Sequence, residues 1–379
     1  MKVFISGMVL VVMVLLNTVS AHGPGSIHVT IKHDRDFEKQ LINLERLLKK
    51  EPARLQYLDE LAGLYISQGR KTSNEQYFLL AEKVLLPVVS SKYVNNSLLL
   101  KWADVLQRTH RFHASSEVLG DLLKSDPGNT QARLMRAVIA QVSGDYKQAG
   151  NDCLHLVGKT ELLLAVTCLS QVKGMTGSLP AAIIVMERAL KPVSNHTHEP
   201  LTESRLWAMT VLSEMYLRAG RTMEARSMIE RLLVEKPADY YLISMLADSL
   251  LEQKMFRQVV DLVGEKTTSN KLLLRKVIAE IGLGKGHPSG MKMLRARVHK
   301  LLHSKDDSNA GLLARYYLDV KKDKKRALTQ ARRNWKTQRN AEDILLLQRC
   351  LERGVGKNSQ HELQDWIVKF NYQDVRLRT

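Results

Sequence analysis

The sequence predicts an all-α fold: a solenoid of antiparallel helix hairpins. Three observations carry that expectation. Seventeen residues separate Pro52 from Gly69, Pro127 from Gly144, and Gly220 from Pro237. Helix breakers spaced in this way fall half of a 34-residue period apart, the phasing of a helix–turn–helix array. Between the breakers, apolar residues recur at i, i+3, i+4 and i+7, and alternating strand patterns are essentially absent. Aromatic residues at 6% and only nine prolines suit helices as well.

The elements follow in order. Leu58, Leu61, Ala62 and Tyr65 form one face of a helix expected to stop at Gly69, and Leu79, Val84 and Leu85 mark its partner. Leu99, Trp102, Ala103 and Leu106 repeat the pattern, followed by Phe112, Leu119 and Leu122 up to Pro127. Ala137 and Ala140 lead into the turn Gly144-Asp145-Tyr146 and then Ala149. Met209, Ser213 and Tyr216 precede Gly220, with Ala225, Ile229 and Leu232 before Pro237. Ile243, Leu246, Ala247 and Leu250 lead to Phe256 and Val259. Small residues at Ala62, Ala103, Ala137 and Ala247 let backbones approach, and Tyr65, Leu106 and Tyr216 fill the space one turn later.

This pattern resembles the tetratricopeptide repeat family, whose units read L-G/A-x-x-Y, then G-x-Y-x-x-A, then P. The match is carried by Gly144, Asp145, Tyr146 and Ala149, by Ala103 with Pro127, and by Gly220 with Ala225 and Pro237. It covers residues 35–266, interrupted near 71–75 and 193–203. The resemblance implies a right-handed superhelix whose first helices line a concave groove for a peptide or helix. By repeat phase, Leu100, Asp104, Arg108, Leu134, Gln141, Glu214, Arg218 and Asp248 should face that groove. The Lys/Asn carboxylate clamp of chaperone-binding relatives is absent, because Leu100, Asp104, Leu134 and Val138 occupy its positions. Apolar anchors and scattered hydrogen bonds would have to hold any ligand.

The chain opens with Lys2, an apolar run from Val3 to Leu16, and Val19-Ser20-Ala21. That order reads as a secretory signal over residues 1–21, leaving His22 as the new N-terminus and 22–34 as a linker. The run is shorter than the roughly 20 apolar residues that span a bilayer, and no later segment is free of charges. The mature chain is therefore expected outside the cytoplasm, with no transmembrane helix. Cys153 and Cys168 should lie at similar heights on antiparallel neighbours either side of a turn near 158–161. They are either bridged or two small apolar residues in a packed interface, and an oxidising compartment favours the bridge. Cys350 is left over.

Beyond residue 266 the phasing decays while helices continue over 271–283, 291–303, 311–320, 326–338, 341–353 and 361–370. This region, 267–379, carries a basic stretch. Lys321–Arg339 holds nine Lys/Arg against one Asp, a large share of the formal +18 of the whole chain. Leu328, Ala331 and Trp335 form one stripe, so Lys325, Arg326, Arg332, Arg333 and Lys336 should point outward. Such a face fits anionic lipid, polysaccharide or an acidic protein, or simply solvates the array. Nucleic acid is disfavoured because no aromatics interleave with the basic residues. Ala21-His22-Gly23 together with Asn334-Trp335 and Gln338 is similar to a group of secreted bacterial tetratricopeptide proteins, which implies a cell-envelope setting.

No H-E-x-x-H, G-x-S-x-G or phosphate-binding loop is present, and no cofactor motif. Gly282-Leu283-Gly284-Lys285-Gly286 lacks the P-loop spacing and reads as an inter-helix turn. His299 and His303, at i and i+4, share a helical face, and His22 offers an amine with a ring. Each lacks an evident third ligand. The expected function is a non-catalytic, extracytoplasmic scaffold that binds an envelope protein. The alternative is periplasmic metal handling by these histidines.

Overall fold

The computed structural model describes residues 35–72, 74–89, 94–191, 201–265, 267–286, 288–303, 307–351 and 357–377. The signal-like segment and His22 lie outside these residues. All regular structure among the described residues is helical, and none of these helices is long and apolar enough to cross a membrane.

Helix α1 (Arg35–Lys50) leads into hairpins α2/α3 (Leu55–Thr72, Glu75–Leu85), α4/α5 (Asn96–Arg108, Phe112–Ser125) and α6/α7 (Thr130–Ser143, Tyr146–Leu154). Three more follow: α8/α9 (Leu162–Met175, Leu179–Ala189), α10/α11 (Glu203–Arg218, Thr222–Glu235) and α12/α13 (Tyr240–Glu252, Phe256–Val263). The two helices of each pair pack together, and each pair packs on the next. Local chemistry fixes the boundaries. Asn95, Asn129, Asp145 and Thr202 each accept a hydrogen bond from the backbone N–H three residues on, closing a helix N-terminus. Gly144, at φ 82°, ends α6 in the left-handed conformation that a side chain would disfavour.

Gly69 departs from its expected role. Helix α2 runs through it to Thr72, and a Cβ there would meet the Phe78 ring at 2.9 Å. The residue is glycine so that α3 can approach, and the turn follows it, where the Asn74 side chain accepts from the Gln76 amide.

The chain continues as α14 (Asn270–Gly282), α15 (Met291–His303), α16 (Ala310–Arg315), a wider π-type turn (Tyr316–Lys321), α17 (Lys324–Trp335), α18 (Ala341–Leu351) and α19 (Lys357–Phe370). Helix α14 packs on α12 and α13 as the next first helix of the array would, and the helices beyond it turn back to share the core of α6–α8. One hydrophobic cluster joins Ala137, Tyr146 and Val172 of the array to Trp335, Leu347, Trp366 and Tyr372 of the C-terminal region. The expected boundary at 266/267 thus runs through a shared core. By contrast, the clusters of α1–α5 contain only residues up to Ile139.

Two polar devices hold this closure. Asp248 on α12 receives Arg275 of α14 and Arg315 of α16 (2.6 Å), and Glu342 of α18 joins both arginines. Burial alone would raise the Asp248 carboxyl, but the two guanidiniums override it and hold it well below its ordinary value. Next to this network, Asp343 accepts from Asn334 Nδ2 at 2.6 Å and from the Asn340 amide at 3.1 Å. Burial, with Glu342 adding to it, pushes Asp343 up to about 6. Farther along the array, Cys153 and Cys168 are bonded, joining α7 to α8 across a separation of 15 residues.

Two outcomes are expected. Replacing both cysteines, Cys153→Ser with Cys168→Ser, should lower unfolding free energy by about 3 kcal/mol, given the loop length; chemical denaturation measures it. Asp343 binds its proton more tightly folded than unfolded, so its contribution favours the fold at low pH. That contribution declines as pH rises from the ordinary value of 3.8 through about 6. Urea midpoints across that window should fall less in Asp343→Asn than in the parent chain.

Candidate partner-binding groove

The first helices of the hairpins divide into an open stretch, whose cores draw on no C-terminal residue, and a filled stretch, α6, α8, α10 and α12, that the C-terminal region packs against. The open stretch lies on α2 and α4. There Arg70 reaches Asp104 at 2.8 Å, Arg108 approaches the same carboxylate at 3.5 Å, and Lys101 holds Asp59 at 2.9 Å. Ser97 also donates to Asp59 at 3.0 Å. Lys101 crosses over Gly63, where a Cβ would come within 3.1 Å of its Cε. Asp104 is buried, whereas the side chains of Arg70 and Arg108 are 54% and 44% exposed. Asp104 is therefore an internal tether beneath two exposed cations, and Leu100, half-buried against the α4/α5 core, lies on the same helix. Between α1 and α2, a cleft of about 390 Å³ of mixed lining is bounded by Gln40, Asn43, Leu44, Glu60, Leu64 and Ser67.

The filled stretch begins at α6. Arg339 donates its amide to Val142 O at 2.8 Å and its side chain to Ser143 O at 2.9 Å. Trp366 and Phe370 stand against Tyr146, with ring centroids 6.3 and 4.9 Å away. The segment after α19 then crosses the turns of the next two hairpins. Gln373 Oε1 accepts from the Leu179 amide at 3.0 Å, and the Val375 amide donates to Arg218 O at 2.9 Å.

The residues expected in the groove divide accordingly. Leu100, Asp104 and Arg108 belong to the open stretch. Leu134 packs against the shared core, and Gln141 is buried. Glu214 accepts from Tyr241 Oη at 2.6 Å; burial raises its carboxyl, and this bond partly offsets the rise. Arg218 and Asp248 do not face an open groove. Arg218 is 3% exposed under residues 372–375, and Asp248 is held in the arginine network described above. The expectation failed because the C-terminal region supplies its own ligand to these positions.

Lys325, Arg326, Arg332, Arg333 and Lys336 are exposed on α17, while Ala327, Leu328, Ala331 and Trp335 are buried. The rings of His299 and His303 lie 4.3 Å apart on exposed α15. Among the described residues no group of three His, Cys, Asp or Glu side chains comes together to hold a metal ion. Sequence reasoning missed Asp59, Arg70 and Lys101, whose importance comes from pairing across helices. It also missed Trp366, Phe370, Tyr372 and Gln373; the run of aromatics at i, i+4 and i+6 was the available signal.

Comparisons with known proteins agree with this geometry at one place. Residues 100–153, which cover most of α4, all of α5 and α6 and most of α7, match the tetratricopeptide repeat family model. No curated protein matches the chain. Among solved structures, a human IFIT1 dimer with PPP-AAAA is 14% identical, with 89% of this chain and 84% of that one covered and a TM-score of 0.46. A tetratricopeptide repeat protein from Parabacteroides merdae is 15% identical, with 78% and 98% covered and a TM-score of 0.36. The TPR domain of P58(IPK) is 14% identical, with 85% and 100% covered and a TM-score of 0.23. Residues 100–153 thus match a tetratricopeptide repeat, within a chain whose described residues are helical throughout their regular structure.

Proposed function

We propose that this protein is a non-catalytic scaffold that works outside the cytoplasm and holds a peptide or helix of a cell-envelope protein. The observation that carries the reading is the open stretch on α2 and α4. The cores of α1–α5 are complete without the C-terminal region, so their concave face is left available. Its exposed Arg70 and Arg108, tethered by Asp104, with Leu100 alongside, suit a segment with an acidic group flanked by apolar residues. The extracytoplasmic setting is supported by the signal-like residues 1–21 and by the bonded Cys153 and Cys168, since such bonds persist in oxidising compartments.

A second surface reading rests on α17. Its apolar residues are buried, its Lys and Arg residues are exposed, and the helix contains no acid. An anionic surface, lipid or polysaccharide, is the complementary partner.

Two experiments test these readings. A photo-crosslinking side chain placed at Leu100 in the native host should capture a defined partner. The same group at Val234, 77% exposed on α11, should not; equal capture at both sites, or none at Leu100, contradicts the groove reading. Arg332→Glu with Arg333→Glu should reduce co-sedimentation with anionic phospholipid vesicles several-fold at low salt, at about 1 kcal/mol per charge. Unchanged sedimentation removes the lipid reading.

A further inference from the structure

The seam between the array and residues 357–377 is built like a peptide complex. Its two sides meet through aromatic anchors and main-chain hydrogen bonds, the chemistry by which grooves take short segments. Trp366 packs on Tyr146, on Trp335 (5.3 Å) and on Tyr372 (5.4 Å). Phe370 meets Tyr146 edge-on at 81°. Arg218 then clamps the backbone, donating to Gln373 O from Nε at 3.1 Å and from Nη2 at 2.9 Å, with Tyr372 over its guanidinium at 4.5 Å. The Asn371 side chain seats against Gly177, where a Cβ would approach its Nδ2 to 2.6 Å.

The fit is also incomplete. On or beside this seam, Tyr146 Oη, Trp366 Nε1, Arg339 Nε and both amide atoms of Gln141 are buried with no hydrogen-bond partner among the described residues. Each such group costs on the order of 1–3 kcal/mol. An interior settled for stability alone would pair them or replace them with apolar groups. Gln141 and Tyr146 belong to the array, so a segment that brought polar atoms to them would bind better than the one in place.

We propose that the edge of the array formed by Gln141, Tyr146, Gly174 and Arg218 is a peptide-binding site, with residues 357–377 as its built-in occupant. It takes an external protein segment with aromatic residues at i, i+4 and i+6, an extended backbone whose carbonyl at i+7 meets Arg218, and a polar group facing Gln141 and Tyr146. The internal segment lowers apparent affinity by holding the free site at small population. This site is distinct from the α2/α4 stretch and stands or falls separately from it.

The test uses the full chain and a labelled synthetic peptide of residues 357–377. Trp366→Ala with Phe370→Ala weakens the internal occupant, so this variant should bind the peptide at least about ten-fold tighter than the parent chain. Adding Arg218→Ala should abolish the gain. A variant that keeps the parent's helical signal and cooperative melting yet binds no tighter overturns the proposal. If the variant fails to fold, hydrogen exchange on the unaltered chain decides. The Tyr372 and Val375 amides should then exchange at least about ten-fold faster than those of mid-α10, by local opening. Equal rates would make the segment permanent core and overturn the proposal.

Discussion

Arg218 is the contact on which the closure of this molecule rests. A guanidinium that is 3% exposed must find acceptors for its donors, or the fold loses several kcal/mol. Here it bonds Gly174 O at 2.6 Å on one side and Gln373 O on the other. Its own carbonyl accepts the Val375 amide. One side chain on α10 therefore joins the end of α8 to a segment 155 residues away in sequence. With that segment in place, the C-terminal helices share a core with α6–α8, and the arginine network ties α12 to α14, α16 and α18.

A repeat array is ordinarily stabilised by each unit and its nearest neighbours. The N-terminal third of this chain follows that rule, because its cores draw only on α1–α6. From α6 onward the rule gives way. One cluster joins α6–α8 to residues 273–372, while α9–α13 form two clusters of their own, so the closure ties the two ends of this part together across units that keep local cores. The proposed groove on α2 and α4 and the proposed peptide site at Arg218 fall on either side of that division.

Much of the architecture was legible because hairpin repeats write themselves locally. The Gly144-Asp145-Tyr146 turn and the small residues Ala103 and Ala137 each act within a few residues of themselves; the caps at Asn95 and Asn129, equally local, were not read. Helix α15 follows from the same periodicity. Gly69 was misread because a glycine reports only that something comes close, and the Phe78 ring that approaches it lies on the next helix. Arg218 and Asp248 were expected in a groove, but the partners that cover them belong to the region where the phase is lost. No local pattern announces such long-range closure. A buried arginine and a cluster of late aromatics are its indirect traces.

The central claim is that the C-terminal segment packs on the array through Arg218, and a double-mutant cycle tests it most directly. Arg218→Ala, Tyr372→Ala and the pair should be compared by denaturant unfolding of the full chain. The account predicts a coupling energy of at least about 0.5 kcal/mol, as expected for a desolvated cation over an aromatic face. Additivity to within about 0.3 kcal/mol would mean the two residues do not meet in solution, and the closed architecture would have to be abandoned.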